Sequence, residues 1–317
     1  MAEPPYGEIV DLLESGQVVP FLGAGVNFGT RQPSSAKWDE KTPAFLPSGA
    51  ELSRFLASKS NFPSPDERDR ADLAKVASYF AETSARSRLR QRLHDVFDRE
   101  FEPCQIHRYL AELDKPLLIV TTNYDDLTER AFIRANRPYD LVIHPTDRRD
   151  VGASVLWWRH EATEPEPVAP NKLFVDLGKT TVIYKMHGTV DRKLKRWDSY
   201  VITEEDYVDF LSRMMGQTAV PAQFMRHFRT RHFLFMGYGL NDWNLRVVLK
   251  NLRTALPAAD GVVGTREPSM QVEDLRSWAI QFCPSDLEVE LWGARNVRIY
   301  NVDINEFARR LQAEANT

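Results

Sequence analysis

The stretch Val18-Val19-Pro20-Phe21-Leu22-Gly23-Ala24-Gly25-Val26-Asn27 sets a short apolar run directly against a glycine-rich turn. Unbroken apolar residues without alternation read as a strand buried on both faces, and the glycines mark where it must end. The pattern recurs along the chain. Pro116 to Val120 runs into Thr121-Thr122-Asn123-Tyr124-Asp125, Thr181 to Met186 into His187-Gly188, and His232 to Met236 into Gly237-Tyr238-Gly239. Trp278 to Cys283 and Val297 to Val302 read as two further strands.

Between these runs the apolar residues take helical spacing. Leu73, Val76, Ala77 and Phe80 recur at i, i+3, i+4, i+7, as do Leu245, Val248, Leu249 and Leu252, and Leu89, Leu93, Val96 and Phe97 mark another helix. Thr203-Glu204-Glu205-Asp206 resembles a capping box with Asp in place of Glu. Buried strands alternating with helices specify an α/β fold, a Rossmann-like parallel sheet with helices on both faces. Residues 50–112 hold helical patterns and no strand, which predicts a helical module inserted between the first two strands of a single domain spanning 1–317. Glu164 to Pro170 (EPEPVAP) holds three prolines, so about 161–172 is expected to be an exposed loop. In an open parallel sheet ligands bind beyond the carboxyl ends of the strands, where all four polar loops would gather.

The 317 residues include 41 basic and 45 acidic side chains, for a net charge of −4. No global basic field draws such a chain to nucleic acid or anionic membrane, and direct nucleic-acid binding is not expected. Its apolar stretches are far shorter than the ~20 residues that span a bilayer, so no membrane span is expected. Met1 to Tyr6 carry neither a basic region nor an apolar core, and Cys104 and Cys283 are too few for a disulfide framework, which together predict a reducing cytoplasm.

Each loop admits a ligand-binding and a purely structural reading. Gly23, Gly25 and Gly29 let the backbone bring N–H groups close to an anionic pyrophosphate. The spacing departs from the dinucleotide fingerprint, however, and no Lys-Ser/Thr follows as in a P-loop, so a tight strand-to-helix turn accounts for it as well. Asn123 can donate and accept toward a sugar hydroxyl or a water; alternatively Asn123 and Asp125 cap a helix beginning near Asp126. His187 follows an apolar strand and precedes Gly188, which would leave room for a substrate beside a group that exchanges protons near neutral pH; the alternative is a structural histidine. In Gly237-Tyr238-Gly239-Leu240-Asn241-Asp242, Asn241 or Asp242 is a cap or a ribose ligand. Cys104 and His107 have metal-like spacing without a partner pair, which predicts a core or helix-surface position. Arg86, Arg88, Arg90 and Arg92 read as a solvated helix face or as a docking or polyanion patch.

In this order and at these spacings the segments resemble the sirtuin-like family. GAGVN is similar to its GAG-x-S loop, TTNYD to its T-Q-N-x-D motif, and KMHG to its histidine-glycine step. FMGYGLNDWNLR resembles the G-Y-S-x-x-D-x-N-x-R pattern of the bacterial branch found in antiphage-defence proteins, and Pro47 to Leu52, Tyr200 to Leu211 and the closing VRIYNVDINEF fit that branch too. The resemblance covers about residues 8 to 312. It implies that Gly23, Ala24, Gly25 and Val26 hold the pyrophosphate of NAD, with Asn27 where the family usually has serine. It implies further that Asn123 faces the nicotinamide ribose and the attacking water, that Thr122 and Asp125 shape that pocket, and that His187 is the catalytic histidine. Gly237, Tyr238, Gly239 and Asp242 would lie along the adenosine half. The G-I-P-D-F-R stretch of deacylase sirtuins has no counterpart.

The implied activity is hydrolysis of NAD, as substrate, to nicotinamide and ADP-ribose, in an effector that depletes NAD during infection. The implied partners are a second copy of the chain and a separately encoded regulator such as a HerA-family ATPase or a short Argonaute-type protein. Two cysteines cannot build the zinc ribbon of deacylase sirtuins, so no metal is expected. A zinc-free protein deacylase or ADP-ribosyltransferase and a non-catalytic sensor of NAD or ADP-ribose stand as alternatives.

Overall fold

The computed structural model describes residues 3–31, 35–146, 150–216, 218–238 and 275–316. The expected strands are all present: β1 (Val18–Leu22), β2 (Leu118–Thr121), β6 (Thr181–Lys185), β9 (His232–Met236), β10 (Ser277–Gln281) and β11 (Val297–Asn301), with ends displaced by one or two residues. Three more join the same sheet, β3 (Tyr139–Ile143), β4 (Val155–Trp158) and β5 (Glu166–Val168), and β7 (Gly188–Thr189) pairs with β8 (Ser199–Tyr200) separately. Among the described residues the order is β11-β10-β9-β1-β2-β6-β3-β4-β5. Pairing is parallel from β11 through β3 and antiparallel from β3 to β5. The carboxyl ends of β1, β2, β6 and β9 therefore point the same way.

Alternation along each strand builds two cores. Val19 and Phe21 face Phe210 of α8 (Glu204–Met215) and Phe224 and Phe228 of α9 (Ala222–Thr230). Val18 and Leu22 face the other side, with Ile9 and Leu13 of α1 (Tyr6–Glu14) and Phe307 and Leu311 of the helix Ile304–Ala315. Helices on both faces bury every residue of β1, β2, β6 and β9, which is why these strands read as apolar runs.

Between β1 and β2 lie α2 (Gly49–Lys59), α3 (Glu67–Ala71), α4 (Leu73–Ser84), α5 (Arg86–Phe97) and α6 (Gln105–Glu112). Leu56, Val76, Phe80, Leu89 and Leu93 form a core of their own that closes over Tyr124 and Tyr200 of the sheet's loops. The α6 residues Ile106 and Leu110 instead join the sheet's second core, so within the helical stretch it is the helices up to Phe97 that share a core of their own. The helix expected around Leu245 to Leu252 lies outside the described residues.

Two features differ from expectation. Inside EPEPVAP, Glu166–Val168 forms β5, with Pro167 opposite Leu156; on the sheet's outermost strand a missing N–H breaks no ladder, so proline is tolerated there. Glu166 and Pro167 are nonetheless exposed. The β3 strand escaped notice because Asp140 interrupts its apolar run. The Asp140 carboxylate accepts from Trp157 Nε1 (2.8 Å) and His160 N (2.9 Å), which fastens the β4 hairpin to the sheet edge. No helix among the described residues is long and apolar enough to cross a membrane.

Candidate functional site

The four polar loops meet at a cavity of about 300 Å³. Gly23, Ala24 and Asn27 line it from the first loop, Thr122, Asn123 and Asp125 from the second, His187 from the third, and Gly237 and Tyr238 from the fourth. The helical module contributes Leu52, Leu73 and Phe97 to the lining, and Tyr207 joins them. None of these last four was singled out from the sequence as a site residue, since apolar residues at helical spacing look the same whether they face a core or a crevice.

The glycines of the first loop serve backbone packing. A Cβ on Gly23 or Gly25 would lie 2.7 or 2.8 Å from the Gly237 carbonyl oxygen, and Gly237 itself sits at φ +72° with its missing Cβ against Val26 N. Gly25 N–H donates to Gly237 O (2.8 Å) and Val26 N–H to Gly23 O (3.0 Å). Those two donors are committed inside the protein, and the Val26 side chain is buried in the second core. Gly25 and Val26 therefore do not line the cavity, whereas Gly23 and Ala24 do. Gly239 and Asp242 lie outside the described residues.

Asn123 is buried and held by two hydrogen bonds: its Nδ2 donates to Gly23 O (3.2 Å) and its backbone N–H to Thr121 Oγ1 (3.0 Å). Its Oδ1 is buried without a partner among the described residues. Asp125 accepts two hydrogen bonds. Its Oδ1 caps the following helix by accepting from Leu127 N (3.1 Å), and its Oδ2 accepts from Asn27 Nδ2 (2.9 Å). Asn27 Oδ1 is also left without a partner among the described residues. Two such oxygens in one cavity are costly unless a ligand satisfies them. Beneath them Lys185, fully buried, donates to the Asp125 carbonyl and pairs with Glu129 (3.0 Å), whose carboxyl burial pushes up. This buried pair carried no signal in the sequence beyond a lysine at the end of an apolar strand.

His187 is buried among aromatic rings, edge-on to Tyr207 (5.4 Å) and Phe210 (5.5 Å). Its ring nitrogens have no hydrogen-bond partner among the described residues, and burial lowers its pKa to about 3, so the imidazole is neutral at pH 7. Gly188 does not make room for a substrate. It sits at φ +90°, where a Cβ would strike Ser199 O at 2.0 Å, so glycine is required by the β7–β8 pairing.

Thr122 Oγ1 and the Tyr238 hydroxyl are 3.3 Å apart, and Tyr238 donates to Leu22 O (3.3 Å), tying the second and fourth loops to the end of β1. Cys104 and His107 are both buried, Sγ to Nδ1 3.1 Å, at the start of α6. Among the described residues no group of histidine, cysteine or acidic side chains could hold a metal ion. Arg86 pairs with Asp206 (2.8 Å) and Arg90 donates to Asp198 O (2.9 Å), so these two clamp the module to the sheet, and only Arg88 and Arg92 are exposed. Thr203 and Asp206 form the expected capping box.

A family model described as a SIR2-like domain matches residues 117–300. The NAD(+) hydrolase ThsA of Acinetobacter baumannii is 29% identical over 247 residues, which is 77% of this chain and 41% of that protein. The protein of the same name from Enterococcus faecium is 28% identical over 251 residues, 78% of this chain and 42% of that one. The chain thus spans about two fifths of the length of these curated relatives.

Proposed function

The chain belongs to the SIR2-like family, and from that premise we propose that its crevice hydrolyses the bond between nicotinamide and ribose in NAD, releasing nicotinamide and ADP-ribose. The observation that carries this reading is a pair of groups in one cavity left unspent among the described residues: Asn123 Oδ1 without a partner, and a neutral His187 ring without a hydrogen bond.

NAD brings its own good leaving group, and glycosidic cleavage passes through an oxocarbenium-like state with positive charge on the sugar. The protein then has mainly to orient the ribose, admit a water and accept its proton. Asn123 binds the ribose or the water, and His187 takes the proton. Neutral in the free protein, the imidazole does not repel the cationic nicotinamide as NAD binds, and it takes the proton only as the water's attack quenches the positive charge on the sugar. Asp125, the one carboxylate among the described lining residues, favours that positive charge. No lysine or arginine lines the cavity among the described residues, so Gly23, Ala24, Gly237 and Tyr238 would hold the dinucleotide by backbone and phenol. The family resemblance supports a wider role as an NAD-depleting effector of antiphage defence, homo-oligomeric and governed by a separately encoded partner.

The test is NAD consumption by the purified chain, with products resolved by chromatography. His187→Ala and Asn123→Ala are each expected to lower turnover by about 10²–10⁴-fold with the circular-dichroism spectrum unchanged. Full hydrolysis in both variants would overturn the assignment, and acyl-peptide turnover accompanying NAD loss would move it to a deacylase.

A further inference from the structure

At the opposite edge of the sheet, where the strands begin, lies a second cavity of about 370 Å³. It is bounded by the turns before β1 and β2, the segment Phe174–Gly178 and one face of α9. Its charge is unbalanced. Lys115 lies along Gly16, whose missing Cβ would come within 3.2 Å of Lys115 Cγ, and its side chain makes no salt bridge among the described residues. Arg231 donates to the neutral Gln17 amide oxygen, while its Nε is buried with no acceptor among the described residues. His227 is held below its ordinary pKa by burial and by the positive charges of Arg231 and Arg226. The one carboxylate that lines the cavity among the described residues, Asp176, is taken up by Lys179 (3.1 Å) and Gly178 N (3.1 Å).

The wall facing these groups is fixed. Gln223 clasps Val175 from both sides, accepting from its N–H (3.0 Å) and donating to its carbonyl (2.6 Å). Beside that clasp Phe174 is 75% exposed, a placement that the sheet's packing does not call for. An apolar ring left in water at the rim of a basic cleft suits a ligand with one charged end and one flat, weakly hydrated end.

We propose that this cleft binds a small phosphorylated molecule, its phosphate against Lys115, His227 and Arg231 and its ring against Phe174. Lysine and arginine supply charge-assisted hydrogen bonds, and Arg231 Nε gains the acceptor it lacks. The volume falls at the lower end of the ~300–1,000 Å³ common for ligand pockets. The site opens at the amino ends of the strands and shares no lining residue with the NAD crevice, so it stands whether or not that crevice hydrolyses NAD.

The experiment follows the His227 imidazole by NMR, assigned with His227→Gln, while inorganic phosphate or AMP is added to the full chain. Phosphate is expected to move the His227 titration to higher pH, because a bound anion relieves the repulsion that holds it down. AMP is expected to bind more tightly than phosphate. Lys115→Gln, at an exposed position, should weaken both about tenfold, and Phe174→Ala should weaken AMP about fivefold and leave phosphate unchanged. A His227 titration unmoved by millimolar phosphate or AMP would overturn the site. So would an equal shift with chloride at matched ionic strength, or unaltered affinity in Lys115→Gln. AMP binding no tighter than phosphate would overturn the role of Phe174.

Discussion

Lys185 and His187 stand two residues apart at the end of one strand, both buried, and they have opposite fates. Lys185 is 0% exposed and donates to two acceptors inside the protein, Glu129 and the Asp125 carbonyl. His187 is 8% exposed, lies against the edges of two aromatic rings and, among the described residues, keeps both ring nitrogens unspent. A buried cation must be paired, whereas a buried histidine can simply shed its proton. The lysine is therefore read as scaffold and the histidine as chemistry, although the sequence KMHG sets them side by side.

The hardest way to break this contrast is to remove the lysine. Lys185→Met leaves Glu129 buried without its counter-charge, which typically costs about 3–5 kcal/mol. Denaturant unfolding should register that loss, and the double variant Lys185→Met/Glu129→Leu should recover most of it, since an apolar pair of similar volume often replaces a buried ion pair at little cost. A single variant as stable as the parent would mean that Lys185 is not the rivet described.

Acid sharpens the other half. Burial holds His187 at a pKa of about 3, against an ordinary value near 6.5 in the unfolded chain. Above pH 6.5 neither state binds the proton. Below it the unfolded chain does and the native one does not, so stability falls as pH falls toward 3, by up to about 1.4 kcal/mol per pH unit for this group. His144, also held far below its ordinary value by burial, adds in the same direction. Between pH 6.5 and 5 the parent should lose about 2 kcal/mol through His187, and His187→Phe, which suits the ring cage of Tyr207 and Phe210, should remove that share. Parallel stability curves for the two proteins would show that His187 is not buried neutral.

The same contrast explains how much was legible beforehand. Strands buried on both faces announce themselves as apolar runs, so the central sheet and the four loops at its edge could be read from the sequence. Individual roles could not. Gly25 and Gly188 look like residues that make space for a ligand, but each is required by a backbone contact, to Gly237 O and Ser199 O, that only the fold creates. Asp140 hid a strand by placing a charge in it, and Pro167 hid another by looking like a breaker. Lys185 and Glu129 lie 56 residues apart in sequence, and nothing local marks them as partners.

The smallest effect expected lies between the two fates, at Asn27. Its amide spends one end on Asp125 (2.9 Å) and leaves the other, Oδ1, buried in the crevice without a partner among the described residues. Asn27→Ala removes the donor from a buried carboxylate that still caps Leu127, which should cost about 1–2 kcal/mol of stability. Asn27→Ser brings a shorter donor to the same carboxylate and should cost less. If the Oδ1 faces the dinucleotide, both variants should raise KM for NAD more than they lower kcat, because orientation of Asn123 and His187 is untouched. A fall in kcat alone would instead place Asn27 with the proton-transfer machinery, and no change in either constant would leave it wholly on the side of Lys185.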